Sequence, residues 1–221
     1  VGLNCLMNRS IRQHTAVADL FVPPVCSDAG LALGGALLES RCRGVVPGTY
    51  RHAFWGPEFS AGDIREVLDR AGASYREVED PVPAAAELIE RGAIVGWFQG
   101  RMEYGPRALG ARSILASPRR AEMKDEINAR IKFREEFRPL APSVRHADGS
   151  RFFSDYADSP YMTQCFSATD ETARDAPAVV HADGTSRLQS VHSATNPAYD
   201  ELIAEVGCRT DLPMVLNTSL N

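Results

Sequence analysis

Arginine and glycine are concentrated in one stretch of the sequence, GRMEYGPRALGARS, which spans residues 100–113. It contains Arg101, Arg107 and Arg112, and it ends at Ser113. Glycine lets a backbone approach a ligand closely, and the planar guanidinium matches the oxygens of a phosphate or a carboxylate. The stretch therefore indicates a site for an anion. The alternative is a solvated basic loop paired with acidic neighbours.

A second basic cluster follows in KFREEFRPLAPSV, residues 132–144, which contains Lys132, Arg134 and Arg138. From Arg101 to Arg138 there are ten basic and six acidic residues, whereas the whole chain has a net charge of −5. A basic island in an acidic protein suits a small polyanion held in a pocket, and the net acidity argues against bulk nucleic-acid binding. The alternative is an exposed helix end, where basic side chains interact favourably with the helix dipole.

Two further segments combine turn residues with polar side chains. HADGTSRLQSV, residues 181–191, has an Asp-Gly turn signal followed by Arg187. PMVLNTSLN, residues 213–221, has small polar side chains directly after an apolar strand, where α/β sheets bind ligands. These side chains are Asn217, Thr218, Ser219 and Asn221. In both segments an ordinary turn is the alternative.

Metal-ligating residues show little local patterning. Asp28 precedes an apolar run, where a helix cap is the alternative to a ligand. The histidines include no HxxxH or HxH pair, so we expect each to be structural or exposed: His14, His52, His146, His181 and His192. The five cysteines are scattered, without a CxxC pair, which predicts reduced thiols in a cytoplasmic protein.

Helical and strand patterns alternate along the chain, which predicts an α/β fold from about residue 50 onward. The predicted helices are a buried one at 31–38, one capped by Ser60 with Asp63, one at 83–91, one from Ser117-Pro118 to about residue 131, and one from Asn196-Pro197. The predicted strands lie at 20–22, 94–98 (buried) and 214–216.

The length and the ends of the chain indicate what kind of protein it belongs to. No apolar run reaches the roughly 18 residues that span a bilayer, and no signal peptide is apparent. The sequence begins at Val1 in what reads as a strand-turn, and it stops after an apolar strand. We therefore expect a piece of a longer cytoplasmic protein.

Together, the long motifs GWFQGRMEYGPRALGARSI, KFREEFRPLAPSV, HADGTSRLQSV and PMVLNTSLN resemble the O-carbamoyltransferase family of nodulation-factor and antibiotic biosynthesis. The resemblance covers essentially the whole chain. It implies that residues 1–41 are the tail of a transfer domain of actin-like/Hsp70-like fold and that residues 42–59 are a linker. Residues 60–221 would then be a truncated YrdC-like domain, a twisted mixed sheet with helices.

The resemblance also implies a two-step reaction. Carbamoyl phosphate and ATP form carbamoyl-adenylate and pyrophosphate, and the carbamoyl group then passes to a hydroxyl of a small molecule. The implied cofactors are ATP, with Mg²⁺, and an iron(II)-type divalent metal. A homodimer is left open, and neither a membrane nor a nucleic acid is an expected partner.

The family motifs imply roles for individual residues. Lys132, Arg138, Arg187 and Ser219 would be catalytic, and Asp28 would be a metal ligand whose partners lie upstream. The substrate- and nucleotide-binding residues would be Arg101, Arg107, Arg112, Ser113, Arg134, Asn217, Thr218, Asn221 and Asn4. Leu140 and Leu220 depart from the family pattern, where Phe is usual.

Two alternatives come from other functional classes. A free-standing threonylcarbamoyl-adenylate synthase would lack the CSDAG segment at 26–30 and the GPRALG motif. A YrdC-like RNA-binding module would need exposed aromatic residues among its arginines for base stacking. Both alternatives fit the sequence less well.

Overall fold

The computed structural model describes residues 1–49 and 51–220, and its centre is a five-stranded mixed sheet. The order of strands in this sheet is β1-β2-β7-β3-β6, and β4 and β5 form a separate antiparallel pair. The strands are β1 Val95–Phe98, β2 Arg112–Ala116, β3 Ala141–Arg145, β4 Cys165–Ser167, β5 Thr185–Arg187, β6 Gln189–Val191 and β7 Met214–Ser219.

The pairing within the sheet brings distant parts of the chain together. β2 and β3 flank β7, and both pair with it in antiparallel fashion, so Ser113 lies opposite Ser219 and Ala141 opposite Asn217. β3 and β6 are parallel neighbours, with Arg145 opposite Val191. The four motifs that contain the candidate site residues therefore converge on adjacent strands.

Helices cover both faces of the sheet. The helices are α1 Cys5–His14, α2 Gly30–Cys42, α3 Ala61–Arg70, α4 Pro81–Glu90, α5 Glu122–Ile127, α6 Gly149–Phe152, α7 Asp170–Asp175 and α8 Pro197–Thr210. α4 and α8 pack on one face, with Ile89 and Leu202 against Leu115. Met123 and Ile127 of α5 pack on the other face, against the adjacent Ala116. Successive strand residues thus alternate between two cores, as the pleat requires.

Several predicted elements are confirmed. Ser60 and Asp63 form a capping box at the start of α3, because each side chain bonds to the backbone N–H of the other residue. α4 is followed by Gly92 at a φ of 83°, a left-handed conformation that glycine adopts easily. α8 is capped by Asn196, and its four predicted inward residues, Tyr199, Leu202, Ile203 and Val206, are all buried.

The strand predicted at 20–22 is wrong. Val22 is buried there, but residues 20–22 form no strand. The following Pro23-Pro24 supplies no backbone N–H, so the segment cannot continue a ladder of hydrogen bonds. The chain instead passes beside the arginine-rich loop, where Tyr104 Oη donates to the carbonyl oxygen of Ala29 at 2.6 Å.

The helix at 31–38 is confirmed, but its predicted burial is wrong. No residue of α2 is buried, and Leu31 is 74% exposed. The apolar stripe of α3 is likewise unburied. An apolar pattern reports which residues gain from burial, whereas burial itself needs a facing surface. The described residues do not supply one for these two helices.

Three boundaries or burial patterns also differ from the predictions. The strand at 94–98 lies at the edge of the sheet, and Phe98 is 41% exposed because β1 has a single strand neighbour. The helix expected from Ser117 begins at Glu122, since residues 118–121 form turns. The final strand extends through Ser219, because pairing with β2 continues to that residue. Among residues 1–49 and 51–220, no helix is both long and apolar enough to cross a bilayer.

Candidate active site

Four arginines from three separate motifs meet in one cavity of about 270 Å³, which we call the arginine pocket. Arg107 comes from the loop between β1 and β2, Arg134 and Arg138 from the segment before β3, and Arg187 from the end of β5. None of the lining residues that the structure describes is acidic. The other lining residues are Pro106, Ala108, Pro139, Leu140, Ala141, Met162, Asn217, Thr218 and Ser219.

Two of these guanidinium groups have a buried nitrogen atom without a partner in the described chain. The Nε atoms of Arg107 and Arg187 are buried and have no hydrogen-bond partner among the described residues. Burial, followed by the nearby charge of Arg107, lowers the pKa of Arg187 to about 10. Arg187 therefore keeps its charge at neutral pH. Buried unpaired charge is costly, so a bound anion would stabilise this arrangement.

Lys132 and Ser219 are brought into contact although they lie 87 positions apart in the sequence. The Nζ atom of Lys132 donates to Ser219 Oγ at 3.0 Å and also to the Ser219 carbonyl oxygen. Burial, and then the charge of Arg134, lower the pKa of Lys132 below its ordinary value. Both residues line a wider, open recess of about 900 Å³ that adjoins the arginine pocket through Arg134 and Arg138.

An unusual backbone places Lys132. α5 continues as a π-helical segment, Asn128–Lys132, and Phe133 then adopts a left-handed φ of 47°. Local features of this kind are frequent at functional sites because they aim a side chain that a regular helix would not. The buried Asn128 supports this segment, since its Oδ1 accepts from Arg134 Nε at 2.8 Å and its Nδ2 donates to the Arg138 carbonyl oxygen at 2.9 Å. Sequence reasoning missed Asn128.

Glu103 organises the arginine-rich loop, and sequence reasoning missed this residue too. Its buried Oε1 accepts from the backbone N–H groups of Leu109 and Ala111, each at 2.7 Å. Its Oε2 lies 3.2 Å from Arg112 Nε, and the Arg112 guanidinium also donates to the Gly105 carbonyl oxygen at 2.9 Å. The sequence feature that could have identified Glu103 is its position as the one acidic residue inside a glycine- and arginine-rich motif. Arg112 braces the loop and does not line the arginine pocket.

Arg101 and Ser113, also predicted to bind ligand, lie away from the arginine pocket. Arg101 donates to the carbonyl oxygens of Gly56 and Trp55, at 3.2 and 3.4 Å, and it lines a different cavity of about 240 Å³. Ser113 is buried in β2, where its hydroxyl accepts from the Gly110 N–H at 3.1 Å. In the structure, the side chains of Arg101 and Ser113 thus form hydrogen bonds to backbone groups of neighbouring loops.

Asn217 connects the loop between β1 and β2 to the strands that lie beneath the arginine pocket. Its Nδ2 donates to the Ala108 carbonyl oxygen at 3.1 Å, to Ser143 Oγ at 3.0 Å and to Gln189 Oε1 at 3.1 Å. Thr218 and Ser219 continue along β7 and complete this wall. Gln189, which sequence reasoning did not single out, also donates to the Leu109 carbonyl oxygen at 2.8 Å.

Two further predicted site residues, Asn4 and Asp28, do not line the arginine pocket. Asn4 caps α1, and its Oδ1 accepts from the Met7 N–H at 3.1 Å. Asp28 is exposed just before α2 and forms no side-chain cap there. Asn221 lies outside the described residues. The roles assigned to them stay predictions.

The histidines carry no local metal-binding motif, but the tertiary structure brings two of them together with an aspartate. His146, Asp158 and His192 have potential ligand atoms that all lie within 4.8 Å of one another. The three residues are spread over 47 positions, so no local spacing announces the cluster. Such a set could hold a divalent metal ion.

Comparison with known proteins gives one consistent result. Residues 86–221 match the family described as carbamoyltransferase C-terminus. Over its full length, the chain is 41% identical to nodulation protein NolO of Bradyrhizobium diazoefficiens and 35% identical to nodulation protein U of Sinorhizobium fredii. It is 33% identical, also over its full length, to the 3'-hydroxymethylcephem-O-carbamoyltransferase of Streptomyces clavuligerus.

The chain spans 42%, 38% and 41% of the lengths of these three relatives, respectively, so it corresponds to about two fifths of each. The matched region contains every residue that lines the arginine pocket. The chain therefore belongs to the carbamoyltransferase family.

Proposed function

We propose that the protein is an ATP-dependent O-carbamoyltransferase and that the arginine pocket forms carbamoyl-adenylate from carbamoyl phosphate and ATP. The acceptor hydroxyl of a small molecule then attacks the carbamoyl carbon, the bond to the adenylate oxygen breaks, and AMP leaves with the hydroxyl proton released. Family membership supports carbamoyl transfer, and one relative is named for transfer to a hydroxymethyl cephem. The residues that line the pocket support the activation step.

The observation that carries the proposal is the excess of positive charge that lines the pocket. Four guanidinium groups face a cavity of about 270 Å³ without an acidic lining residue among those described. The buried Nε atoms of Arg107 and Arg187 have no protein partner in the described chain. Guanidinium groups bind phosphate oxygens in a forked, charge-assisted geometry. A phosphorylated one-carbon substrate fits a cavity of this size and charge.

The proposed chemistry balances without a protein nucleophile. Carbamoyl phosphate is hydrolysed to carbamate and inorganic phosphate. A carbamate oxygen then attacks the α-phosphorus of ATP and forms the new P–O bond, while the bond to the β-phosphate oxygen breaks and pyrophosphate leaves. Fixed cations reduce the repulsion between these anions and stabilise the charge on the transferring group.

The wider recess suits the nucleotide in this proposal. Lys132 and Ser219 line it, and Arg134 and Arg138 are shared with the arginine pocket. Shared arginines would let carbamate and the α-phosphate meet at the boundary between the two spaces. Mg²⁺ would accompany ATP and supply further charge neutralisation.

The domain assignment is part of the same proposal. Residues 60–221 would form the YrdC-like activating domain, and residues 1–41 would be the tail of an actin-like/Hsp70-like transfer domain. Asp28 would bind an iron(II)-type metal there. The Asp28 carboxylate is exposed and forms no cap bond to α2, so it is available to bind a metal together with ligands from the remainder of the protein.

Isotope exchange tests the activation step. Full-length protein with ATP, carbamoyl phosphate and labelled pyrophosphate should produce labelled ATP. Lys132→Ala should slow this exchange about a hundred- to a thousandfold, since a transition-state contact of this kind contributes about 3–4 kcal/mol. Arg174→Ala is the matched control, because Arg174 is exposed, pairs with the adjacent Asp175 and lines neither the arginine pocket nor the wider recess.

The co-substrate requirement separates the proposal from its alternatives. Exchange should depend on carbamoyl phosphate. Exchange that depends instead on threonine and bicarbonate would indicate a threonylcarbamoyl-adenylate synthase. Normal exchange in Lys132→Ala would place the activating site elsewhere.

A further inference from the structure

The ends of β3 and β6 place two histidines side by side. These strands are parallel neighbours, and Arg145 lies opposite Val191 in the register. The next residue of each strand path is a histidine, His146 and His192. Their rings stack with centroids 4.2 Å apart and planes inclined by 25°. Side chains at the carboxyl ends of adjacent parallel strands are well placed to bind one ligand.

Asp158 supplies a third potential ligand, since one of its oxygens lies close to a nitrogen of each ring. Its Oδ1 lies 2.9 Å from His192 Nε2 and 3.4 Å from His146 Nδ1. Ser190 Oγ donates to the same oxygen at 2.6 Å and itself accepts from the Ser159 N–H at 2.6 Å. The Asp158 carboxylate is therefore held in place by a hydrogen-bonded connection to β6.

We propose that His146, Asp158 and His192 bind one divalent transition-metal ion of the zinc type. Two imidazole nitrogens and one carboxylate oxygen are ligands that Zn²⁺ and Co²⁺ favour, and Ca²⁺ and Mg²⁺ prefer oxygen alone. All three candidate ligand atoms lie within 4.8 Å of one another, so small side-chain rotations bring them to one centre. Three protein ligands leave a fourth position for water.

Tyr156 and Ser190 provide the surrounding support that metal ligands usually have. Tyr156 Oη lies 2.7 Å from His146 Nδ1 and 3.3 Å from the His146 carbonyl oxygen. When Nδ1 binds the ion, this hydroxyl can donate to the carbonyl oxygen instead. Outer partners of this kind orient the ligands and raise metal affinity.

The site is separate from the arginine pocket. Ala141 and Arg187 line that pocket, and each lies five residues before a histidine of the cluster. Five extended residues span about 16 Å, so the ion would sit at the opposite end of β3 and β6. The proposal is therefore independent of how the arginine pocket acts.

Metal titration tests the proposal in full-length protein prepared without a histidine tag and stripped with a chelator. Zn²⁺ is titrated in competition with a chromophoric chelator, and Co²⁺ reports coordination through its visible absorption. The number of ions bound by each variant is subtracted from the number bound by the wild type. An ion bound at another site contributes equally to both numbers and does not affect the difference. His14→Ala is the matched control, because His14 lies on α1 outside the cluster.

The wild type and His14→Ala should bind one equivalent more than His146→Ala or His192→Ala. Asp158→Asn keeps the side-chain shape and should lower the affinity more than about 100-fold, beyond the usual effect of losing an outer partner. Near-ultraviolet circular dichroism checks that each variant is folded. Equal stoichiometry and equal Co²⁺ spectra in the wild type and in both folded histidine variants would overturn the proposal.

Discussion

The basic side chains of the arginine pocket differ in how much the protein itself satisfies them. Arg138 pairs with Glu135 at 2.7 Å, and Arg134 is held by Asn128 at 2.8 Å. The Nε atoms of Arg107 and Arg187, by contrast, are buried without a partner among the described residues. We therefore expect Arg107 and Arg187 to contribute most to anion affinity.

Arg187→Ala should weaken binding of carbamoyl phosphate about ten- to a hundredfold, because one charge-assisted phosphate contact contributes about 1.5–3 kcal/mol. Isothermal titration calorimetry on the full-length protein measures this change. Arg174→Ala should bind as the wild type does. Wild-type affinity in a folded Arg187→Ala protein would contradict the assignment of the pocket.

Lys132 should make the exchange reaction sensitive to alkaline pH. Burial, and then Arg134, hold the pKa of Lys132 below its ordinary value of 10.5, and its charged form is the one that binds phosphate. The value of kcat/KM should therefore fall as pH rises through this lowered pKa. Bound anions favour the ammonium form, so kcat should fall only at higher pH.

Lys132→Arg is the control for this pH dependence, since arginine stays charged over the same range. The alkaline fall in kcat/KM should disappear or move to higher pH in that variant. An unchanged alkaline profile would show that another group causes it.

At the scale of elements, the loop between β1 and β2 depends on one buried carboxylate. Glu103 joins the backbone of Leu109 and Ala111 to the side chain of Arg112. Gly110 within this loop has a φ of 102°, and a Cβ there would lie 2.1 Å from Tyr199 Cδ1. Close packing on α8 and the Glu103 contacts together fix the path that presents Arg107.

Glu103→Ala should lower the free energy of unfolding by about 3–5 kcal/mol, because it leaves buried N–H donors and the Arg112 charge without their partner. Glu103→Gln, which keeps an acceptor oxygen, should lose less. Urea denaturation measures both changes. Glu201→Ala, an exposed change on α8, should stay within about 0.5 kcal/mol of the wild type. Equal stability of Glu103→Ala and Glu201→Ala would contradict this role.

At the scale of the whole molecule, the chain is about two fifths of the length of the relatives described above. α2 and α3 contain no buried residue, whereas the sheet and its two helical layers have well-formed cores. Asp28 lies just before α2, and Lys132 lies in the π-helical segment that follows α5. Under the proposed function, activation and transfer should therefore be separable by mutation.

In the full-length protein, Asp28→Asn should lower bound iron and slow carbamoyl transfer, with pyrophosphate exchange retained. Lys132→Ala should show the reverse pattern, losing exchange about a hundred- to a thousandfold while still using preformed carbamoyl-adenylate. Exchange and transfer assays run side by side measure the two steps. Equal loss of both steps in well-folded variants would indicate a single shared site.

Local patterns in the sequence determined much of the fold and part of the site. Turn and cap residues located α3, α4 and α8, because Ser60, Gly92 and Asn196 act on backbone groups a few residues away. Clustered arginines and their family motifs also indicated an anion site. These features depend on chemistry within a short stretch of chain, which sequence records directly.

Tertiary structure alone decided which polar residues share a site. Arg112 resembles Arg107 in sequence, but Arg112 is bound to Glu103 and Arg107 lines the pocket. His146 and His192 meet because β3 and β6 pair in parallel at one particular register. Burial of α2 likewise depends on a facing surface. Strand register and covering surfaces arise from contacts between residues far apart in the chain, so local spacing cannot specify them.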